Sequence, residues 1–185
     1  MLIDHRNLNE VYDVFLMPRG TEDFLAECNR GTQATHSVIR IQAGKSSDVE
    51  GTQGLDAAIQ WKEDNPTTIA SYANGLRTMF GGPHLVGFRE GIVRSIRRYA
   101  RSQGLDEIMS LTPDDIRIGL TGIIAVRLLD PQFEGPTRSQ LYNPEVRPWV
   151  QREVNKQLFA YLKSHPAEAK RILDRILRSR RQQPQ

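Results

Sequence analysis

The residues best suited to chemistry lie in one loop. From Asp130 to Val150 the chain reads DPQFEGPTRSQLYNPEVRPWV. An apolar run stops at Asp130-Pro131, a Gly-Pro-Thr-Arg tip follows, and Asn143-Pro144 has the form of a helix start, with Asn143 as cap. Gly135 permits a tight approach, Pro136 fixes φ, and Arg138 presents a planar, permanently charged fork that suits phosphate oxygens. Taken alone, these residues are better explained by a solvent-exposed arginine on a stiff turn. Other candidates are weaker still. Gly81-Gly82-Pro83-His84-Leu85-Val86-Gly87 stands where helix N–H groups could receive a phosphate. It has neither a Gly-Lys-Ser/Thr end nor Gly-x-Gly-x-x-Gly spacing, so a structural turn is favoured. His84 has no Ser, Cys or carboxylate beside it in sequence and reads as a packing or capping residue. Asp114 and Asp115, adjacent on a helix, do not face each other and match the positive end of its dipole.

Two basic clusters remain open. Arg89, Arg94, Arg97, Arg98 and Arg101 share one helix-like segment, and form either a nucleic-acid surface or the solvated side of an amphipathic helix. Lys170, Arg171, Arg175, Arg178, Arg180 and Arg181 form the second cluster, and both could face an acidic partner. Cys28 is the single cysteine, so no intramolecular disulfide can form, and with four His it gives no zinc spacing. It reads as a small apolar residue on a short helix.

The elements that must position these residues follow from periodicity. A strand is expected over Glu10 to Met17, a short helix capped by Thr21 running to about Asn29, and a second strand over His36 to Ala43. After a polar loop, Gly44 to Gly54, the alternation of Leu55, Ala57, Ile59 and Trp61 with polar and small residues predicts a half-buried strand. The Glu63-Asp64-Asn65-Pro66 turn then suggests a hairpin with a strand at Thr67 to Ala73. A helix from His84 to Gln103 places Leu85, Phe88, Ile92 and Ile96 on one face. Thr112-Pro113-Asp114-Asp115 starts a short helix, the run Ile123 to Leu129 is a buried strand, and two helices follow, divided by His165-Pro166. The order predicts an α+β sheet with helices on one face.

The chain has 185 residues, 38% hydrophobic and 25% charged, with a net charge of +3, which suits one globular domain. The first residues lack a signal-peptide pattern, and no apolar run approaches the ~20 residues of a membrane helix. A cytoplasmic protein with no membrane partner is expected.

Three stretches together carry a family resemblance. GGPHLVGFREGIVRSIRRYAR from Gly81 resembles a Gly-Gly-Thr-His-x-x-Gly-Phe segment and its helix in the ATPase-bearing B chains of type IIA DNA topoisomerases, DNA gyrase and topoisomerase IV. LTPDDIRIGLTGIIAVRLLDPQFEGPTRSQLYNPEVRPWV is similar to that family's Asp-Asp-x-Arg-x-Gly-Leu helix, strand and Gln-Thr-Lys loop. GTEDFLAECNRGTQATH resembles its Gly-Ile-x-x-Phe-Val-x-x-Leu-Asn segment. The matching region is the family's transducer domain, which implies a ribosomal-protein-type two-layer sandwich with a left-handed β-α-β unit and a long C-terminal helix. Residues 1–165 would be the transducer and 166–185 a basic helical extension. The resemblance implies a module that couples ATP binding and hydrolysis in a neighbouring ATPase domain to strand passage of double-stranded DNA, inside a homodimer that also carries a cleavage core. ATP and Mg2+ would act in the intact enzyme, and the chain alone would bind neither and be inactive. Arg138 matches the lysine that touches the γ-phosphate, Thr137 matches threonine, and Pro136 replaces the glutamine, so Pro136, Thr137 and Arg138 are the nucleotide-contacting candidates. Arg94, Arg97, Arg98 and Arg101 are the candidates to meet DNA. The alternative is a free-standing, non-enzymatic nucleic-acid- or gyrase-binding module with a degenerate sensing loop.

Overall fold

The computed structural model describes residues 19–47, 49–63 and 66–182, so the strand expected over Glu10 to Met17 lies outside it. Five strands make one mixed sheet in the order β1-β2-β5-β3-β4. They are β1 Ile39–Ala43, β2 Thr52–Trp61, β3 Thr68–Ala73, β4 Leu76–Arg77 and β5 Leu120–Leu128. The helices are α1 Thr21–Cys28, α2 Pro83–Ser102, α3 Asp106–Met109, α4 Pro113–Arg117, α5 Val146–Ser164 and α6 Pro166–Gln182. The class is α+β, as the residue order predicts.

The sheet corrects one expected pairing. β2 and β3 do not form a hairpin, because β5 lies between them, antiparallel to β2 and parallel to β3. Ile123, Ile124 and Val126 of β5 are fully enclosed, and a strand covered on both faces belongs at the centre of a sheet. The hairpin that does form joins β3 to β4. Its turn is Asn74-Gly75, with φ of 49° and 81°, the positive values that a two-residue hairpin turn demands. The Asn74 amide also extends the ladder: Nδ2 donates to Leu128 O at 2.9 Å, and Oδ1 accepts from Leu128 N at 2.8 Å.

The helices do not all lie on one face. α2, α5 and α6 pack over one side, while α1 covers the other, where Leu25 meets Ala58, Tyr72 and Ile123. Under α1 runs a buried polar chain: Asn29 Nδ2 donates to Gln60 Oε1, Thr121 Oγ1 donates to Asn29 Oδ1, and Gln60 Nε2 donates to His36 O, at 2.7–2.8 Å. β2 is therefore covered on both faces over much of its length, and its alternation separates core from buried network rather than core from solvent. Gly20, not Thr21, is the N-cap of α1, and Cys28 is exposed at the helix end.

α2 and α5 lie side by side through two glycines spaced four apart. A Cβ on Gly87 would sit 3.2 Å from Arg147 C and Cα, and one on Gly91 2.7 Å from Val154 Cβ. α6 then folds back, burying Ala169, Ile172, Leu173 and Ile176 in the same core. Four cations of the tail, Lys170, Arg171, Arg178 and Arg180, stay exposed, while Arg175 is buried. Arg171 Nε donates to Thr35 O at 3.1 Å and Arg175 Nε to Lys62 O at 2.8 Å. Arg178 pairs with Glu63 at 3.1 Å, and Arg180 reaches Asp115 at 3.8 Å. An amphipathic helix needs its apolar stripe covered, and the cations beside that stripe meet carbonyls and carboxylates of the sheet's end.

Candidate functional site

The β5–α5 loop is a small hairpin seated on the start of α2. Phe133 bridges Leu141, Glu134 N donates to Gln140 O at 2.9 Å, and Tyr142 N donates to Gln132 O at 2.8 Å. At the tip, Arg138 N closes a turn on Gly135 O at 3.4 Å, with Pro136 at the second position that prefers it. Gly135, Pro136, Thr137 and Arg138 are all exposed. Arg138 has φ 52°, a left-handed conformation that costs a non-glycine residue roughly 1–2 kcal/mol. That strain persists because the base is fixed. Phe80 N donates to Ser139 O at 2.9 Å and Leu141 N to Gly81 O at 3.0 Å. Gly82, at φ 139°, lets this backbone come so close that a Cβ would lie 3.0 Å from Leu141 N.

Asn143 is not the cap of α5, which starts at Val146 behind Glu145. Its side chain instead closes the neck of the loop, accepting from Gln132 N at 2.7 Å and donating to Asp130 O at 3.3 Å.

A second feature of this end was not read from the sequence. Among the described residues seven large apolar side chains are exposed, and six of them, Leu76, Met79, Phe80, Val86, Leu129 and Tyr142, belong to the segments that flank the loop. Met79 is 75% and Phe80 77% exposed. Their signal in the sequence is a Met-Phe pair inside a turn, directly before Gly81-Gly82. Single exposed apolar residues are ordinary, but several on neighbouring segments mark a contact surface.

His84 lies beneath the loop base with the packing role that its sequence context suggests. It is fully buried, with Nε2 3.1 Å from Thr78 Oγ1, which also meets Ser71. His36 is buried under α6, and its Nε2 accepts from Trp61 N at 2.9 Å, which leaves Nδ1 to donate to Ser37 O at 2.5 Å. Burial lowers both pKa values from 6.5 to about 4. Between those values the unfolded chain binds protons that the folded chain does not. Stability is thus complete above pH 6.5 and falls as pH drops towards 4, by about 1.4 kcal/mol per pH unit for each histidine. Urea midpoints compared at pH 7.5 and pH 5 should show that loss.

On α2 the arginines divide. Arg94, Arg98 and Arg101 are exposed, and Arg98 stacks 3.9 Å above the Phe159 ring of α5. Arg97 is half-buried and donates Nη2 to Leu111 O at 2.7 Å, which braces the segment after α3. The loop and this basic face are separate sites.

A family model described as DNA gyrase B matches residues 20–185. The chain belongs to the DNA gyrase B family. The gyrase B protein of Mycobacterium tuberculosis is 35% identical over 167 residues, covering 89% of this chain and 24% of that protein. Gyrase B of Myxococcus xanthus is 33% identical over 178 residues, covering 95% and 21%. The chain thus spans about a quarter of the length of these relatives. Among solved structures, the 43K ATPase domain of Thermus thermophilus gyrase B gives a TM-score of 0.78 at 27% identity, over 89% of this chain and 44% of that one. The topoisomerase IV ATP-binding domain of Francisella tularensis shares the fold, with a TM-score of 0.76 at 22% identity over 97% and 54%. Within the described residues of this gyrase B relative, no helix is long and apolar enough to cross a membrane, and no group of three or more His, Cys, Asp or Glu could hold a metal ion.

Proposed function

We propose that this chain is the transducer module of a gyrase B-like protein of a type IIA topoisomerase, relaying the state of a nucleotide in a neighbouring ATPase domain to the gate that passes duplex DNA. The observation that carries this reading is an exposed cation on a strained, firmly based tip, with exposed apolar side chains on the segments that adjoin the loop. Such a surface fits a folded domain that presents a phosphate amid apolar surroundings. Arg138 supplies one guanidinium from outside rather than a cradle, so it fits a contact to ATP that another domain holds. ATP, with its Mg2+, supplies there the free energy of binding and hydrolysis. Pro136 and Thr137 hold the turn that places Arg138. A contact made only when nucleotide is present stabilises the closed arrangement by differential binding. α5, the helix after the loop, would carry that shift towards a cleavage core in a homodimer. Arg94, Arg97, Arg98 and Arg101 would face DNA phosphates.

The rim gives the test. With a separately expressed gyrase B ATPase domain and a non-hydrolysable ATP analogue, calorimetry should show the Met79→Ser, Phe80→Ser double variant binding at least tenfold more weakly, because burying each side chain is worth about 1.5–3 kcal/mol. Equal affinity would remove the rim as the docking face. The second reading, a free-standing binding module, rests on Pro136, which lacks a side-chain amide and a backbone N–H. It requires DNA binding with no response to nucleotide.

A further inference from the structure

A second basic feature lies away from the loop tip, between α5 and the β1–β2 loop. There a groove of about 570 Å3 is lined by Lys45, Ser46, Ser47, Arg152, Glu153 and Lys156, among others. Among the described residues that line it are three cations and one carboxylate, Glu153, whose Oε1 lies 3.5 Å from Arg152 Nε. The groove walls are fixed. Gln157 Nε2 donates to Gln42 O at 2.9 Å and its Oε1 accepts from Gln42 N at 3.1 Å, which ties α5 to the outer edge of β1. On the other wall, Ser46 N donates to Thr52 Oγ1 at 3.1 Å, and Thr52 Oγ1 donates to Val49 O at 2.8 Å. Lys45 therefore extends from a held loop.

The groove also continues the arginine face of α2. Arg98 lies over one side of Phe159, and Lys163 Nζ is 5.8 Å from the same ring. Lys156 is one turn before Phe159 and Arg152 one turn before Lys156, neighbours along the helix surface. From Arg152 to Lys163 the row spans about 16 Å at 1.5 Å per residue. A single phosphate needs far less length, whereas duplex DNA presents a charge about every 1.7 Å of its axis. The cations are exposed and mounted on long side chains, which suits backbone contacts that carry no sequence information.

We infer that duplex DNA lays its phosphate backbone along α5 and into this groove, with Lys45, Arg152 and Lys156 as contacts beyond the α2 arginines. This rests on the reading that duplex DNA lies against the module, and it is independent of Arg138. The test is fluorescence anisotropy of the full chain with a 20-base-pair duplex across a chloride series. Replacing Lys45, Arg152 and Lys156 with glutamine together should weaken binding at least tenfold at low salt and reduce the log–log salt slope by about two to three, roughly 0.9 per lost phosphate contact. An unchanged slope in that variant, with weakening on replacing Arg94, Arg98 and Arg101, overturns the groove contact and leaves the DNA reading intact. No binding by the unaltered chain overturns both. Displacement of DNA by inorganic phosphate at matched ionic strength assigns the groove to a small anion and overturns the inference.

Discussion

Arg138→Ala is expected to speed release of a non-hydrolysable ATP analogue from a gyrase B ATPase domain complexed with this chain by roughly ten- to a hundredfold. A hydrogen bond to a charged group is worth about 1.5–3 kcal/mol, and every 1.4 kcal/mol is tenfold in an equilibrium constant. The contact exists only with nucleotide bound, so its loss falls on the closed state. Arg138→Lys keeps the charge on a point donor instead of a planar fork and should retain part of the effect. Arg138→Gly separates backbone from side chain. It relieves the left-handed strain at φ 52°, keeps the turn, and should release nucleotide as fast as the alanine variant. Stopped-flow release of a fluorescent analogue measures all three. Rates that match the unaltered chain would mean that Arg138 makes no such contact.

Gly87→Ala is expected to destabilise the fold by about 3 kcal/mol. The sign is the informative part. In an isolated helix, alanine is favoured over glycine by about 1 kcal/mol, so propensity alone predicts a gain. Here the added Cβ would meet backbone of α5, 3.2 Å from Arg147 C and Cα and closer still to its carbonyl oxygen, and backbone cannot turn aside as a side chain can. The helices must separate, and overpacking of this kind costs typically 1–3 kcal/mol or more. Gly91→Ala meets Val154 Cβ at 2.7 Å and Gln151 O at 2.9 Å and should behave alike. For a chain of this size 3 kcal/mol lowers the melting temperature by about 6–12 °C. A thermal melt that stays level or rises would contradict the close packing of α2 on α5.

Local signals in the sequence translated well. Thr112-Pro113-Asp114-Asp115 promised a helix start, and Thr112 Oγ1 accepts from Asp115 N at 3.1 Å while Asp115 Oδ2 accepts from Thr112 N at 2.8 Å. The α2 stripe promised a core face, and Phe88, Ile92 and Ile96 are fully buried. Long-range choices were not legible. Whether β2 pairs with β3 or with β5 depends on a strand that follows 47 residues after β3 (Thr121 against Thr68 is a register, not a local cue). The Asn-Gly turn at 74–75 was a readable hairpin signal that the weaker turn at 63–66 displaced. The basic residues in the tail suggested an acidic partner, yet Ile172, Leu173 and Ile176 among them already required an apolar surface to pack on.

The site divides in the same way. The loop was visible through Gly135, Pro136 and Arg138, and through the stretches that resemble the family. What anchors it was not: Asn143 looks like a helix cap until its amide is seen bridging Asp130 and Gln132. The close approach of Gly82 to Leu141 joins residues 59 apart in the chain. Met79 and Phe80 carry no catalytic chemistry, and only their exposure marks them.

The most direct measurement is ATP turnover by a separately expressed gyrase B ATPase domain mixed with this chain, comparing the unaltered protein with Arg138→Ala and Arg138→Lys. A nucleotide-sensing transducer predicts turnover that rises on mixing, collapses with alanine and persists in part with lysine. No stimulation by any of the three, with folded proteins and a working gyrase B transducer as control, would contradict nucleotide sensing by this loop.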